Sequence, residues 1–124
     1  KPNHMSLPAN LVTIHPDFKV HEGKEARSLE VMEKFVEKTK SEPLCLFYEF
    51  TVLEDEVFCR EGYEGAEGIL HHLENIKDVL AEMLTISDML RLEFHGPAEE
   101  MDKLREPLSG LDAKLFVLRH GITR

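Results

Sequence analysis

The segment from Glu42 to Leu73, EPLCLFYEFTVLEDEVFCREGYEGAEGILHHL, constrains the fold more than any other part of the chain. Two of its stretches, Leu44 to Leu53 and Glu56 to Tyr63, are rich in aromatic and β-branched residues, which predicts two strands. From Gly65 onwards the apolar residues recur at helical spacing. The segment therefore predicts a β-hairpin whose second strand runs directly into an amphipathic helix.

The turn of this hairpin decides which side chains face each other. A two-residue turn at Glu54 and Asp55 places Tyr48 opposite Glu61, and Glu49 opposite Arg60 as an ordinary cross-strand ion pair. The turn lacks the favoured glycine, so a longer loop with a shifted register remains open.

The rest of the chain adds three strands and two helices around the hairpin and its helix. We predict strands at Leu11–Val20, Asp88–His95 and Lys114–His120. The two added helices are predicted at Glu22–Lys40 and from Pro97 through Leu108. The helix that starts at Gly65 is predicted to reach Leu84, with a break near Asn75. Pro16 lacks an amide donor, so the first strand is expected to be bent, bulged or at an edge. The order β-α-β-β-α-β-α-β predicts an α+β fold with an antiparallel sheet and helices on one face.

The second predicted strand is apolar on both of its faces. Strict alternation puts Leu46, Tyr48 and Phe50 on one side, and Cys45 and Phe47 on the other. A sheet that is apolar on both faces is normally covered on both. A second copy of the chain is the simplest cover, so we expect a homodimer.

Composition and charge limit the remaining function classes. The chain has 124 residues and a net charge of −9, without the basic stripe that a nucleic-acid binder needs. No apolar run reaches the length of a membrane span, and no secretion leader is visible.

Cys45 and Cys59 are read as reduced core thiols, so we expect a cytoplasmic protein. Residues 1–4 look like an expression remnant, which leaves residues 5–124 as one domain.

Three pieces of sequence resemble the antibiotic-biosynthesis-monooxygenase-like domains. They are Val20-His-Glu-Gly-Lys-Glu, Glu42-Pro-Leu-Cys-Leu-Phe-Tyr-Glu, and Glu61-x-Tyr63-Glu64 followed by Ala66-Glu67 and His72-Leu73. The resemblance implies a ferredoxin-like protomer that dimerises sheet to sheet into an α/β barrel. It also implies a space between sheet and helices for a small aromatic or quinone-like ligand, which some members oxygenate without metal, flavin or haem.

Two departures from that family narrow what can be carried over. Tyr63 stands where Trp is common, and the chain contains no Trp at all. In haem-degrading relatives the Trp-Leu pair of the pocket helix corresponds to His72-Leu73 here, so haem degradation is not expected.

His72 is the main candidate for catalysis, because the resemblance places it beside the pocket and its pKa near neutrality suits proton transfer. His71 points about 100° away on a helix, so both cannot face one site. Tyr63, Glu61, Tyr48 and His15 are candidate substrate-binding residues. Structural explanations are also open: Tyr63 as packing, Glu61 paired with Tyr48, with an Arg or with a dimer partner, and His15 as a hydrogen-bonded strand histidine.

No spacing in the sequence supports a metal, haem or nucleotide site, so no cofactor is expected. The interpretation that follows is a cofactor-independent monooxygenase-like protein acting on a small aromatic or quinone-type molecule. The alternatives left open are a non-catalytic protein that binds a small ligand and a dimerisation module whose pocket is packed shut.

Overall fold

A computed structural model of the chain describes residues 6–124, so the expected remnant at residues 1–4 lies outside the described residues. The elements follow the order β1 (Leu11–Val20), α1 (Glu25–Thr39), β2 (Cys45–Leu53), β3 (Glu56–Glu64), α2 (Gly65–Asn75), α3 (Lys77–Met83), β4 (Ser87–Gly96), α4 (Ala98–Arg105) and β5 (Lys114–Val117). The predicted order is confirmed, including the helix break, which falls at Ile76. The last strand ends three residues earlier than predicted.

The strands form one sheet in the order β2-β3-β1-β4-β5. All neighbours are antiparallel except β4 and β5, which are parallel. β1 is therefore the central strand, so of the three alternatives predicted for Pro16 the edge position is excluded and the bulge is confirmed. The bulge lies beside Pro16, because Asp17 pairs with Arg91 and Phe18 with Met89, which leaves Leu90 as an extra residue in β4.

The hairpin has the short turn and the predicted register. Leu53 pairs with Glu56, Glu49 with Arg60, and Tyr48 with Glu61. The strict alternation assumed for β2 fails at its start, because the register shifts between Cys45 and Phe47. Cys45 consequently lies opposite Tyr63 on the helix-covered face, whereas Phe47 lies opposite Gly62 on the outer face.

The helices cover one face of the sheet and divide the core into two clusters. One is centred on α1 and α3 and contains Phe18, Val31, Phe35 and Val79 among others. The second is centred on α2 and α4 and contains Val12, Tyr63, Ile69 and Phe94 among others. This is the predicted α+β ferredoxin-like arrangement. Within residues 6–124, no helix combines the length and apolarity needed to cross a membrane.

The junction between β3 and α2 fixes where the pocket helix begins. Gly65 follows β3 directly with a φ of +72°, a conformation that a side chain would strain. The amide of Ala66, in the first turn of α2, donates to the Glu100 carboxylate at 2.7 Å. That bond satisfies one of the free amides at a helix start and ties α2 to α4.

Candidate active site

A cavity of about 220 Å³ lies between the sheet and the helices. Its walls are aromatic and aliphatic, with Ile14 and Phe18 from β1, Phe50 from β2, Phe35 from α1, and Leu73 from α2. One end is lined by the polar side chains of Tyr48, Cys59, Glu61 and His72. An apolar cavity with a few convergent polar groups is the usual form of a small-molecule site.

Four of the five side chains predicted from the sequence meet at this polar end. The Tyr63 hydroxyl donates a hydrogen bond to Glu61 Oε1 at 2.5 Å. His72 Nε2 lies 3.4 Å from the same Glu61 oxygen. The His72 ring centroid is 4.8 Å from that of Tyr63 and 5.2 Å from that of Tyr48. Tyr63 is fully buried behind Glu61, so it orients the carboxyl rather than lining the cavity.

Glu42 is a site residue that the sequence interpretation missed. Both of its carboxylate oxygens lie 3.0 Å from His72 Nδ1. The amide nitrogen of Asn75 donates to Glu42 Oε2 at 2.7 Å and to the Lys38 carbonyl at 3.0 Å. Glu42 is buried in the loop between α1 and β2. With Nδ1 donating to Glu42, His72 presents the lone pair of Nε2 towards Glu61.

Burial keeps both central groups neutral near pH 7. Desolvation raises the pKa of Glu61 to about 8, against the hydrogen bonds from Tyr63 and Cys59, which lower it. Desolvation also lowers the pKa of His72, against the nearby Glu42, which raises it. A protonated carboxyl therefore faces an unprotonated imidazole nitrogen. The arrangement places a general acid and a general base at one end of an apolar cavity.

The raised pKa of Glu61 predicts that the protein becomes less stable as the pH rises. Between the usual value of 4.5 and about 8, folded Glu61 holds a proton that the unfolded chain has released. The free energy of unfolding should therefore fall with pH, by at most about 1.4 kcal/mol per unit for one proton. His72 acts in the opposite direction only below its ordinary value of 6.5.

Urea titrations between about pH 6.5 and 8.5 check this prediction. Glu61→Gln removes the titrating group at nearly constant shape, so its unfolding free energy should change less over the same interval. A wild-type stability that rises across this interval would contradict a protonated Glu61.

The fifth predicted site residue, His15, is not part of this cavity. It lies on the opposite face of the sheet, where its ring is 4.4 Å from that of His95 and its Nε2 is 2.8 Å from the Thr13 hydroxyl. Adjacent strand residues alternate between faces, so Ile14 reaches the cavity and His15 does not. His71 is exposed on α2, as the helical rotation from His72 required.

The arrangement of His, Cys, Asp and Glu side chains shows whether a metal ion could bind or a disulfide could form. Among residues 6–124, no three His, Cys, Asp or Glu side chains are arranged to hold a metal ion. The two nitrogens of His72 face different carboxyl groups on opposite sides of its ring. Cys45 and Cys59 are both free thiols.

The fold and cavity define a ferredoxin-like α+β protein with an internal space between its sheet and helices. The chain has the fold of the antibiotic-biosynthesis-monooxygenase-like domains. It is similar to MupZ from Pseudomonas fluorescens, whose crystal structure matches with 36% identity and a TM-score of 0.88 over 93% of this chain and 95% of that one.

Two more distant structures share the fold. A protein of Caulobacter crescentus CB15, assigned to the antibiotic biosynthesis monooxygenases, has 23% identity and a TM-score of 0.61 over 69% of this chain and 88% of its own. One from Chloroflexus aurantiacus J-10-fl with the same assignment has 16% identity and a TM-score of 0.59 over 71% and 93%. No protein-family model and no curated protein matches the chain.

Proposed function

We propose that this protein is a cofactor-independent enzyme that transfers protons at an oxygen of a small, mostly apolar substrate. The observation that carries the proposal is the buried pair formed by the Glu61 carboxyl and His72 Nε2, 3.4 Å apart at the end of the cavity. Burying these groups without a use costs stability, and such costs are typical of catalytic sites.

His72 is the proposed general base. A substrate hydroxyl placed at Nε2 would lose its proton to the imidazole, and the resulting positive charge would be stabilised by Glu42 on Nδ1. Glu61 is the proposed general acid, which donates a proton to an oxygen where negative charge develops. The Tyr63 hydrogen bond holds the Glu61 carboxyl in position during both steps.

Oxygenation of a phenolic compound is the reaction that the likeness to the antibiotic biosynthesis monooxygenases favours. The deprotonated phenol is electron-rich enough to reduce O₂ directly. Conversion of a phenol and one O₂ to a quinone and one water balances atoms and electrons without a cofactor. This would make the protein a monooxygenase acting on a small aromatic or quinone-type molecule.

Oxygen-electrode measurements with a panel of phenols and hydroquinones test the proposal. We expect protein-dependent O₂ uptake and incorporation of one labelled oxygen atom from ¹⁸O₂ into the product. The matched control is Glu61→Gln, which keeps the shape of the site and removes the acid. Uptake that is equal for both proteins would contradict the assignment.

The alternative is a protein that binds a ligand without turnover, which the largely apolar lining of the cavity also favours. Ligand-dependent melting without any product identifies that case. A dimerisation module with neither property would show no ligand response at all.

We further propose that the protein is a homodimer formed through the outer face of the sheet. That face carries Phe47, half-buried, and a row of three rings, in which His15 is tilted against His95, and His95 is stacked on Phe116 at 4.6 Å. Asp17 Oδ1 is buried on this face and has no hydrogen-bond partner within residues 6–124. A second copy would cover the rings and could supply the missing donor.

Replacing Phe47 with Asp is expected to convert the dimer to a monomer. The Phe47 ring lies against Gly62, where an added Cβ would approach its Cε2 to 2.5 Å, so the ring lies close against the backbone of β3. A charge there would be desolvated in the interface without a partner. Sedimentation at micromolar concentration should give twice 14.3 kDa for wild type and 14.3 kDa for the variant. Wild type that sediments as a monomer would contradict the proposal.

A further inference from the structure

The polar groups of the cavity are concentrated at one end. Cys59, Glu61 and His72 are each 4% exposed or less, so this is the deep end. Towards the surface the lining includes Leu84, Leu90 and Leu111, which are 43–54% exposed and therefore mark the mouth. Between the two ends the walls are apolar, with the rings of Phe18, Phe35 and Phe50 and the side chains of Ile14 and Ile76.

The charged residues near the mouth do not change this arrangement of a polar deep end and apolar walls. Arg91 of β4 is one of the residues that line the cavity, but its Nε is 3.2 Å from Glu93 Oε2. Its pairing with Asp17 places both side chains on the outer face of the sheet. Asp112 is exposed at the rim. A ligand that enters the cavity therefore meets polar groups only at the deep end and again at the solvent.

The two groups at the deep end have opposite hydrogen-bonding needs. The protonated Glu61 carboxyl has a proton to donate, and His72 Nε2 has a lone pair to fill, because Nδ1 already donates to Glu42. A hydroxyl oxygen both accepts and donates, so one hydroxyl can satisfy both groups. A carbonyl or ether oxygen accepts only and would leave Nε2 without a partner.

The cavity volume limits the size of the ligand. An apolar cavity of about 150 Å³ binds benzene, so by proportion 220 Å³ admits about nine non-hydrogen atoms. In a ligand of that size, a second polar group opposite the first would lie among the aromatic side chains. An unpaired hydroxyl in such surroundings is strongly disfavoured.

We infer that the site selects an apolar molecule that carries a single hydroxyl at the end that enters first. This inference rests on the proposed function only in taking the cavity as the ligand site. It narrows the substrate class to mono-hydroxylated compounds, and it excludes hydroquinones, whose two hydroxyls lie at opposite ends of the ring.

Three probes of equal size and shape test the inference directly. para-Xylene, para-cresol and hydroquinone have the same ring with two substituents opposite each other. They carry no, one and two hydroxyls, because a hydroxyl replaces a methyl group at each step. Titrations by NMR would give each dissociation constant, and shifts of the Ile14 and Leu73 methyl signals would show that the probe occupies this cavity. We expect para-cresol to bind at least about tenfold more tightly than either of the other two.

A variant shows which group makes the selection. Glu61→Leu should reduce the preference for para-cresol over para-xylene to less than about threefold. Glu61→Gln keeps a hydrogen-bond donor, so its preference for para-cresol should be larger than that of Glu61→Leu. The wild-type series is decisive even where the Leu variant does not fold.

Several outcomes would overturn the inference. Equal or tighter binding of para-xylene would show that the polar end does not contact the ligand. Hydroquinone bound as tightly as para-cresol would show that a second hydroxyl is tolerated. Absence of binding by all three at millimolar concentration would mean that the cavity is not a ligand site. Binding in the expected order without any turnover of other phenols would leave the inference standing and remove only the proposed enzymatic function.

Discussion

Replacing His72 with Gln is expected to lower turnover by about 10²-fold or more, because it removes the general base. The Gln amide can still donate to Glu42, so the buried carboxylate keeps a hydrogen-bond partner and the variant is expected to fold. Truncation to Ala would leave Glu42 without that partner and confuse loss of activity with loss of stability.

His71→Gln is the matched control for this substitution. His71 is the neighbouring residue on α2 but is exposed, so the same chemical change is made outside the cavity. Its turnover should stay within a factor of two of wild type. If His72→Gln is folded and turns over at the wild-type rate, His72 is an ordinary buried histidine and the base lies elsewhere.

Replacing Glu42 with Ala should lower the free energy of unfolding by about 2–5 kcal/mol, the largest stability effect we expect in this protein. The change leaves His72 Nδ1 and the Asn75 side-chain amide with one buried acceptor fewer. It also removes the connection between the α1–β2 loop and α2. Urea unfolding measured at pH 7 provides the number.

Glu37→Ala serves as the control for the loss of a carboxylate from the same region. Glu37 lies on α1 and forms an exposed pair with Lys40 at 3.0 Å. Surface pairs of this kind contribute little, so the expected change is within about 0.5 kcal/mol. Equal effects at the two positions would show that Glu42 does not support the site.

The fold was predictable because local patterns and sheet geometry agree in this chain. The period-two pattern of β1, the hairpin register that pairs Tyr48 with Glu61, and the helix start at Gly65 depend on neighbouring residues only. Since β3 leads into α2 without a loop, the sequence also predicted that Tyr63, Glu61 and His72 lie near each other. The structure places them within hydrogen-bonding or ring-contact distance.

What the sequence did not predict depends on tertiary packing. Glu42 lies in a loop without periodicity, 30 positions before His72, and nothing local distinguishes it from the exposed glutamates around it. The register shift after Cys45 has no marker such as glycine or proline, so the face of that thiol was assigned wrongly. His15 was grouped with the site by residue type, although strand alternation turns it to the other face.

The proposed chemistry requires Glu61 to be a protonated carboxyl at neutral pH, and the titration of this carboxyl tests that requirement. Carboxyl ¹³C NMR of glutamate-labelled protein, with the Glu61 signal identified by its absence in Glu61→Gln, follows the group from pH 3 to 10. We expect a midpoint near the pKa of about 8 that burial gives this carboxyl. A midpoint near the ordinary value of 4.5 would mean that Glu61 is ionised at pH 7 and cannot act as the acid of this site.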